Sequence, residues 1–208
     1  MDRSLTRTYL RGPDPKLLHL GCGGNRLTGW LNSDLYPNSR SVLHLDATRQ
    51  FPLPADQFDA VFSEHMIEHI PRAAGARMLA ECQRVLKPGG RIRISTPDLA
   101  FLIDLYRPDK SDLQRRYIAW ATERFIPDAP AGDVYVINNF VRDWGHQFIY
   151  DEPTLAAAMQ AAGFEEISRC ELNRSQHQSL ANLENESRLP VGFLRLETLI
   201  LEGVKPNR

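Results

Sequence analysis

Three glycines and two acids carry the first chemical signal in the chain. Gly21, Gly23 and Gly24 follow the apolar run Leu17, Leu18 and Leu20, and Asp34 stands 13 residues beyond Gly21. Glycines directly after a strand let the backbone turn tightly and approach a ligand, because no Cβ intervenes. A carboxylate at the end of the following strand can accept hydrogen bonds from both hydroxyls of a ribose. Asp46 ends the next short segment, SVLHLD, and with Ala47 it would reach the base end of a nucleoside held at its sugar by Asp34. Together these residues predict a nucleoside-containing cofactor. A second group is His65, Glu68 and His69, which spell H-x-x-E-H, an inverted zinc-hydrolase signature. A third lies in the segment INNFVRDWGHQFIY, where Asn138, Asn139, Arg142, Trp144, His146 and Tyr150 supply donors, acceptors and a ring wall.

The spacing of the first group narrows the cofactor. The dinucleotide fingerprint is G-x-G-x-x-G opening a helix, with its acid about 20 residues on. Here Arg26 holds the third glycine position, and the distance to Asp34 leaves no room for a full crossover helix. A cofactor with a nucleoside but no phosphates fits better, and S-adenosylmethionine (SAM) is the common one. The H-x-x-E-H run follows a strand directly and meets Pro71 two residues after His69. Zinc chemistry would need both histidines on one helix face. We therefore expect no metal here, with His69 bonding its own loop and His65 free to face a substrate.

The elements that must position these groups read as an alternating α/β chain. Buried strands are expected at Leu17–Leu20, Ser41–Asp46, Phe58–Phe62 and Arg91–Ser95. Met78, Leu79, Cys82, Val85 and Leu86 form one stripe of an amphipathic helix, stopped by Lys87-Pro88-Gly89-Gly90. Such sheets bind ligands beyond the carboxyl ends of their strands. Residues 1–16 read as a loose N-terminal arm, and residues 99–148 as an insertion covering the cleft, with helices expected at Leu99–Tyr106 and near Leu113–Phe125. Asp151 reads as the N-cap of a helix that Gly163 ends. Two further strands follow, Phe164–Leu172 and Thr198–Val204, joined by a long polar loop.

Global properties set limits. The 208 residues are 42% hydrophobic and 25% charged with net charge −1, so a single globular domain is expected, without an electrostatic footprint for nucleic acid. Cys22, Cys82 and Cys170 show no metal spacing and are odd in number, which fits a reducing cytoplasm. We see no signal peptide and no membrane span.

LHLGCGG, LDATRQFPLPADQFDAVFSEHMIEHI and LAECQRVLKPGGRIRISTPD resemble the class I SAM-dependent methyltransferases. The similarity is to the type-11 methyltransferase domain and to a small bacterial group of predicted SAM-dependent methyltransferases. It covers roughly residues 15 to 100. The resemblance implies a Rossmann-like, mostly parallel seven-stranded sheet with an antiparallel last strand, a shortened first crossover and a helical insertion after strand five. It implies that Gly21, Cys22, Gly23 and Gly24 line the methionine part of SAM. Asp34 and Leu35 would meet the ribose, Asp46 and Ala47 the adenine, and Ser63 and Glu64 the far wall. Most class I enzymes carry an acid two residues before the first glycine, where this chain has His19.

The expected activity is transfer of the SAM methyl group to an oxygen or nitrogen of a small-molecule acceptor, leaving S-adenosylhomocysteine. His146 is the first candidate for general base, His65 the second, and Tyr150 a group that could orient the acceptor. The alternatives are a SAM-binding protein that transfers no methyl group, an NAD-linked oxidoreductase and a zinc hydrolase.

Overall fold

The computed structural model describes residues 3–207. A short strand, Leu17–Leu20 (β1), runs parallel to Leu31–Asp34 (β2) on one side and to Phe58–Glu64 (β4) on the other. Leu43–His44 (β3) extends the sheet beyond β2. Arg72–Val85 (α2) crosses back to Leu86–Pro97 (β5), parallel to β4. Thr198–Val204 (β7) then inserts antiparallel between β5 and Glu165–Arg169 (β6), giving the order β3-β2-β1-β4-β5-β7-β6. This is the mostly parallel seven-stranded sheet expected, with β7 antiparallel to both of its neighbours.

The main core lies on one face, where Leu18, Leu20, Leu31, Val61, Ile92 and Ile94 meet Met78, Leu79, Cys82, Leu155 and Met159 of the covering helices. The helix Glu152–Ala161 (α6) begins as expected, with Asp151 accepting a hydrogen bond from Thr154 N at 2.9 Å. Gly163 ends it in the left-handed region at φ +96°. A side chain is disfavoured there, which is why a glycine closes the helix.

The opposite face carries the consequence of the short first crossover. Residues 21–30 form turns rather than a helix. The apolar surface they leave is filled by Trp30, Phe62, Leu180 and Leu183, the last two from the long polar loop before β7. That loop is fastened by Arg93, a fully buried strand residue. Its guanidinium donates to Glu184 at 2.6 and 3.0 Å, to Glu202 at 2.5 Å, and to the carbonyls of Arg174 and Glu171.

Two segments differ from expectation. The N-terminal arm contains a helix, Arg3–Arg11 (α1), whose Tyr9 stacks on Phe58 and bonds both the N–H and the carbonyl of Leu17. It packs at the start of β1, at the end of the strand opposite the glycine turn, so it is neither loose nor over the site. The insertion holds three helices, Leu99–Leu105 (α3), Asp112–Phe125 (α4) and Asp133–Arg142 (α5), where two were expected. With Phe193–Glu197 (α7) they build a second core around Phe101, Tyr117, Ile118, Val136, Phe140 and Phe193.

Candidate active site

Two cavities open beyond the carboxyl ends of the parallel strands. The first, about 340 Å³, is lined by Gly21, Asp34, Leu35, Tyr36, Leu45, Asp46, Ala47, Thr48, Met66 and Ile70, together with His65 and His69. Asp34 ends β2, and its carboxylate accepts from Gly23 N at 2.9 Å and from Tyr36 N at 2.8 Å, which fixes its position. Asp46 is held by the amide and hydroxyl of Thr48, and these bonds draw its carboxyl below the usual range. Gly21 has φ +64°, and a Cβ there would sit 2.4 Å from Met66 Cγ. Only glycine lets the turn and Met66 share that wall.

The donor set suits SAM. Two carboxylates, two histidines and apolar surface line the cavity, and among the described residues no lysine or arginine lines it. A pyrophosphate would find no cation there, whereas a positively charged sulfonium nucleoside meets acids at its sugar and base ends.

Of the expected cofactor residues, Gly21, Asp34, Leu35, Asp46 and Ala47 line this cavity, while Gly23 and Gly24 are exposed and do not line it. Cys22, Ser63 and Glu64 do not line it. Cys22 is buried, its amide bonded to the carbonyl of Ser33, and burial raises its thiol pKa. Ser63 is fully buried within β4. Glu64 is occupied by Asn25 Nδ2 and by the backbone N–H of Asn185, so it ties the glycine turn to the long loop. His19, at the position where an acid is usual, donates Nδ1–H to Asn32 Oδ1 at 3.1 Å. Asn32 in turn bonds the backbone of Leu27 and Trp30, so His19 braces the shortened crossover. Burial lowers the His19 pKa to about 4, against weaker opposing effects of Asn32 and Asp34.

The second cavity, about 260 Å³, is walled by rings: Tyr117, Trp120, Phe125, Phe140 and Trp144. Trp144 stands edge-on to Phe125 and Phe140 at centroid distances of 5.0 and 5.2 Å. Its polar lining is His65, Glu68, His69, His146, Arg188 and Glu197. His65 and His69 therefore line both cavities. His65 ends β4 in the left-handed region at φ +45°, an uncommon conformation for a non-glycine residue that is often found where function demands it. Glu68 and His69 lie on the short 3₁₀ turn Ile67–His69, so the helix that the zinc-hydrolase signature requires is absent.

The charges of the second cavity are set by burial and by its neighbours. Burial pushes Glu68 up, but His65 and His69 beside it outweigh burial and hold its carboxyl below the ordinary value. Burial raises Glu197, which accepts a hydrogen bond from the Tyr117 hydroxyl. His146 donates Nδ1–H to the carbonyl of Phe140 at 2.6 Å, since a carbonyl can only accept, and this leaves its Nε2 lone pair free. Burial lowers its pKa, favouring the neutral ring.

Tyr150 is a correction. It is buried beneath α2 and α6, its hydroxyl 2.7 Å from where a Cβ on Gly75 would stand, and it lines neither cavity. Asn138, Asn139 and Arg142 also stay outside, and Asn139 instead bonds Asp143. Tyr117, Trp120, Phe125, Phe140 and Glu197 were not found from sequence. The signal for the four rings was the density of aromatic residues in the insertion, and Glu197 had none.

Residues 18–94 match the family described as methyltransferase domain. A demethylmenaquinone methyltransferase of Clavibacter sepedonicus is 32% identical over 130 residues, covering 60% of this chain and 46% of that protein. The chain spans less than half the length of the curated relatives it matches. Among solved structures, a SAM-dependent methyltransferase of Archaeoglobus fulgidus aligns with a TM-score of 0.55 at 15% identity, covering 96% of this chain and 89% of the other. One from Thermotoga maritima aligns with a TM-score of 0.51 at 19% identity, covering 97% and 87%. The overall fold is shared with those two solved structures, and the domain match takes in the glycine turn, Asp34 and Asp46. Over residues 18–94 the chain is similar to that methyltransferase domain, and its fold is that of the two solved methyltransferases.

Proposed function

We propose that the protein moves the methyl group of SAM to an oxygen or nitrogen nucleophile of a small molecule seated among the aromatic rings. The observation that carries this is the shared wall: His65 and His69 face both cavities, so a cofactor in one and an acceptor in the other meet there. SAM, when bound, supplies a methyl group already activated by its sulfonium. The protein's work is then chiefly to position the two reactants. Asp34 and Leu35 hold the ribose, Asp46 and Ala47 face the adenine, and Gly21 lies along the methionine part. The aromatic cavity takes one ring-sized apolar group. Residues 99–148 form the cover that selects the acceptor within one methyltransferase domain over residues 1–208. His146 Nε2 faces the cavity with a free lone pair and takes the proton that the acceptor loses. His65 is the second candidate. The free thiols of Cys22, Cys82 and Cys170 support a cytoplasmic setting.

Calorimetric titration with SAM, S-adenosylhomocysteine and NAD tests the cofactor half. Binding of the first two, silence with NAD, and at least about tenfold weaker SAM binding by Asp34→Ala are expected. Absence of SAM binding, or an Asp34→Ala variant that binds as tightly as the parent, would overturn the reading. The transfer half is tested by release of S-adenosylhomocysteine in the presence of small oxygen and nitrogen nucleophiles.

A further inference from the structure

We propose that Glu68, His69 and His146 bind one divalent transition-metal ion on the floor of the aromatic cavity. The ligand-forming atoms of these three residues lie within 4.8 Å of one another. Glu68 Oε1 and His69 Nε2 are 3.9 Å apart. An ion about 2.1 Å from each donor needs donors roughly 3.0–3.5 Å apart, so side-chain rotations of about an ångström complete the set.

Two independent observations aim these groups at a ligand. Glu68 is wholly buried; its Oε2 accepts from the hydroxyl of Thr96 at 3.1 Å, while its Oε1 makes no hydrogen bond of ordinary geometry and has only His65 Nδ1 at 3.4 Å and His69 Nε2 at 3.9 Å beside it. A buried carboxylate oxygen left without a donor is costly unless something else satisfies it. His146 shows the complementary feature: its Nδ1–H is committed to the carbonyl of Phe140, which fixes the ring and presents Nε2. Metal-binding histidines are oriented in this way by an outer acceptor. The two backbone segments are already tied together. Gln147 N donates to Glu68 O at 2.7 Å, and Gln147 Nε2 donates to His69 O at 2.8 Å. His65 Nδ1, 3.4 Å from the same Oε1, is a fourth donor within reach.

Two imidazoles and a carboxylate suit zinc, iron(II), cobalt or nickel better than magnesium or calcium, which prefer all-oxygen sites. The site reverses the expectation of no metal at H-x-x-E-H. That signature pairs His65 with His69 on one helix, whereas the fold pairs His69 with His146 from the far side of the insertion. The remaining coordination positions face the ring-lined cavity, where an oxygen of a bound small molecule could complete the shell. A bound ion takes the His146 Nε2 lone pair, so in the metal-loaded protein the base is His65 rather than His146; ion binding itself needs neither SAM nor acceptor, so its test can fail while the methyl-transfer reading stands.

The test is metal titration of the full chain after stripping with a chelator. Cobalt(II) is followed by its ligand-field absorption, zinc by competition with a chromophoric chelator, and magnesium serves as the negative comparison. One equivalent of cobalt or zinc is expected, with an upward shift of the melting temperature. Glu68→Gln and His146→Ala should each weaken binding by roughly a hundredfold or more, since even outer partners of ligands cost 10–100-fold. His177→Ala, remote from the cluster, should bind as the parent does. Folding of each variant is checked by circular dichroism. Failure of the folded parent protein to take up cobalt or zinc, or uptake unchanged in both ligand variants, would overturn the proposal. The parent titration decides even if a variant does not fold.

Discussion

Lowering the pH from 7.5 to 5 should destabilise this protein in a way that one residue controls. His19 is buried against Trp30 and Phe62, and burial lowers its pKa from 6.5 to about 4. The folded protein therefore keeps His19 neutral, while the unfolded chain takes up a proton as the pH falls below about 6.5. The stability tied to His19 is fully present above the unfolded value and drains away as the pH falls toward the folded value. Between pH 7.5 and 5 the linkage relation gives a loss of about 2 kcal/mol. For a chain of this size that is a drop of roughly 4–8 °C in melting temperature. His19→Gln keeps an N–H donor for Asn32 Oδ1 but cannot titrate. Urea unfolding of both proteins at the two pH values isolates the effect, because every other titrating group cancels in the double difference. The variant should show the smaller acid loss, by about 2 kcal/mol. Equal losses in the two proteins would refute the assignment of a neutral, buried His19.

Other consequences of the structure are open to direct measurement. Gly21→Ala forces a Cβ into Met66 at a backbone angle that side chains disfavour. It should lower stability by about 1–3 kcal/mol and weaken SAM binding in calorimetry. Arg93→Met strands the carboxylates of Glu184 and Glu202 in the interior, and denaturant unfolding should show a loss of about 3–5 kcal/mol. Partial proteolysis of the same variant should cut first within residues 171–188, which Arg93 fastens. His146→Ala should leave SAM binding intact and slow S-adenosylhomocysteine release at least about tenfold. Unchanged turnover would remove His146 from the chemistry.

What the sequence made legible was what local chemistry dictates. The glycine turn, the acid ending β2, the Asp151 cap and the Gly163 stop each follow from one or two neighbouring residues. α5 was not legible, because DVYVINNFVR is rich in branched and aromatic residues and starts at Gly132, with no side-chain cap. It is helical because Val136 and Phe140 reach the second core. α1 is short and polar, and it is held through Tyr9 by residues far along the chain. The aromatic cavity draws on the turn after β4, the end of β5, α4, α5 and the segment before β7, so no window of sequence contains it. Glu64, which the resemblance places on the far wall, accepts from the backbone N–H of Asn185, 121 residues away, a contact that no local pattern could show.

The chain has three tryptophans, and their distribution gives it a built-in optical sensor. Trp120 and Trp144 stand in the wall of the aromatic cavity, whereas Trp30 is packed on the other face of the sheet beside Phe62 and His19. A molecule entering that cavity displaces water from two indoles and leaves the third in place. Emission from the unlabelled protein therefore reports cavity occupancy against an internal reference. Collections of small oxygen and nitrogen nucleophiles can be ranked by fluorescence titration, with and without cofactor, before any turnover has been observed.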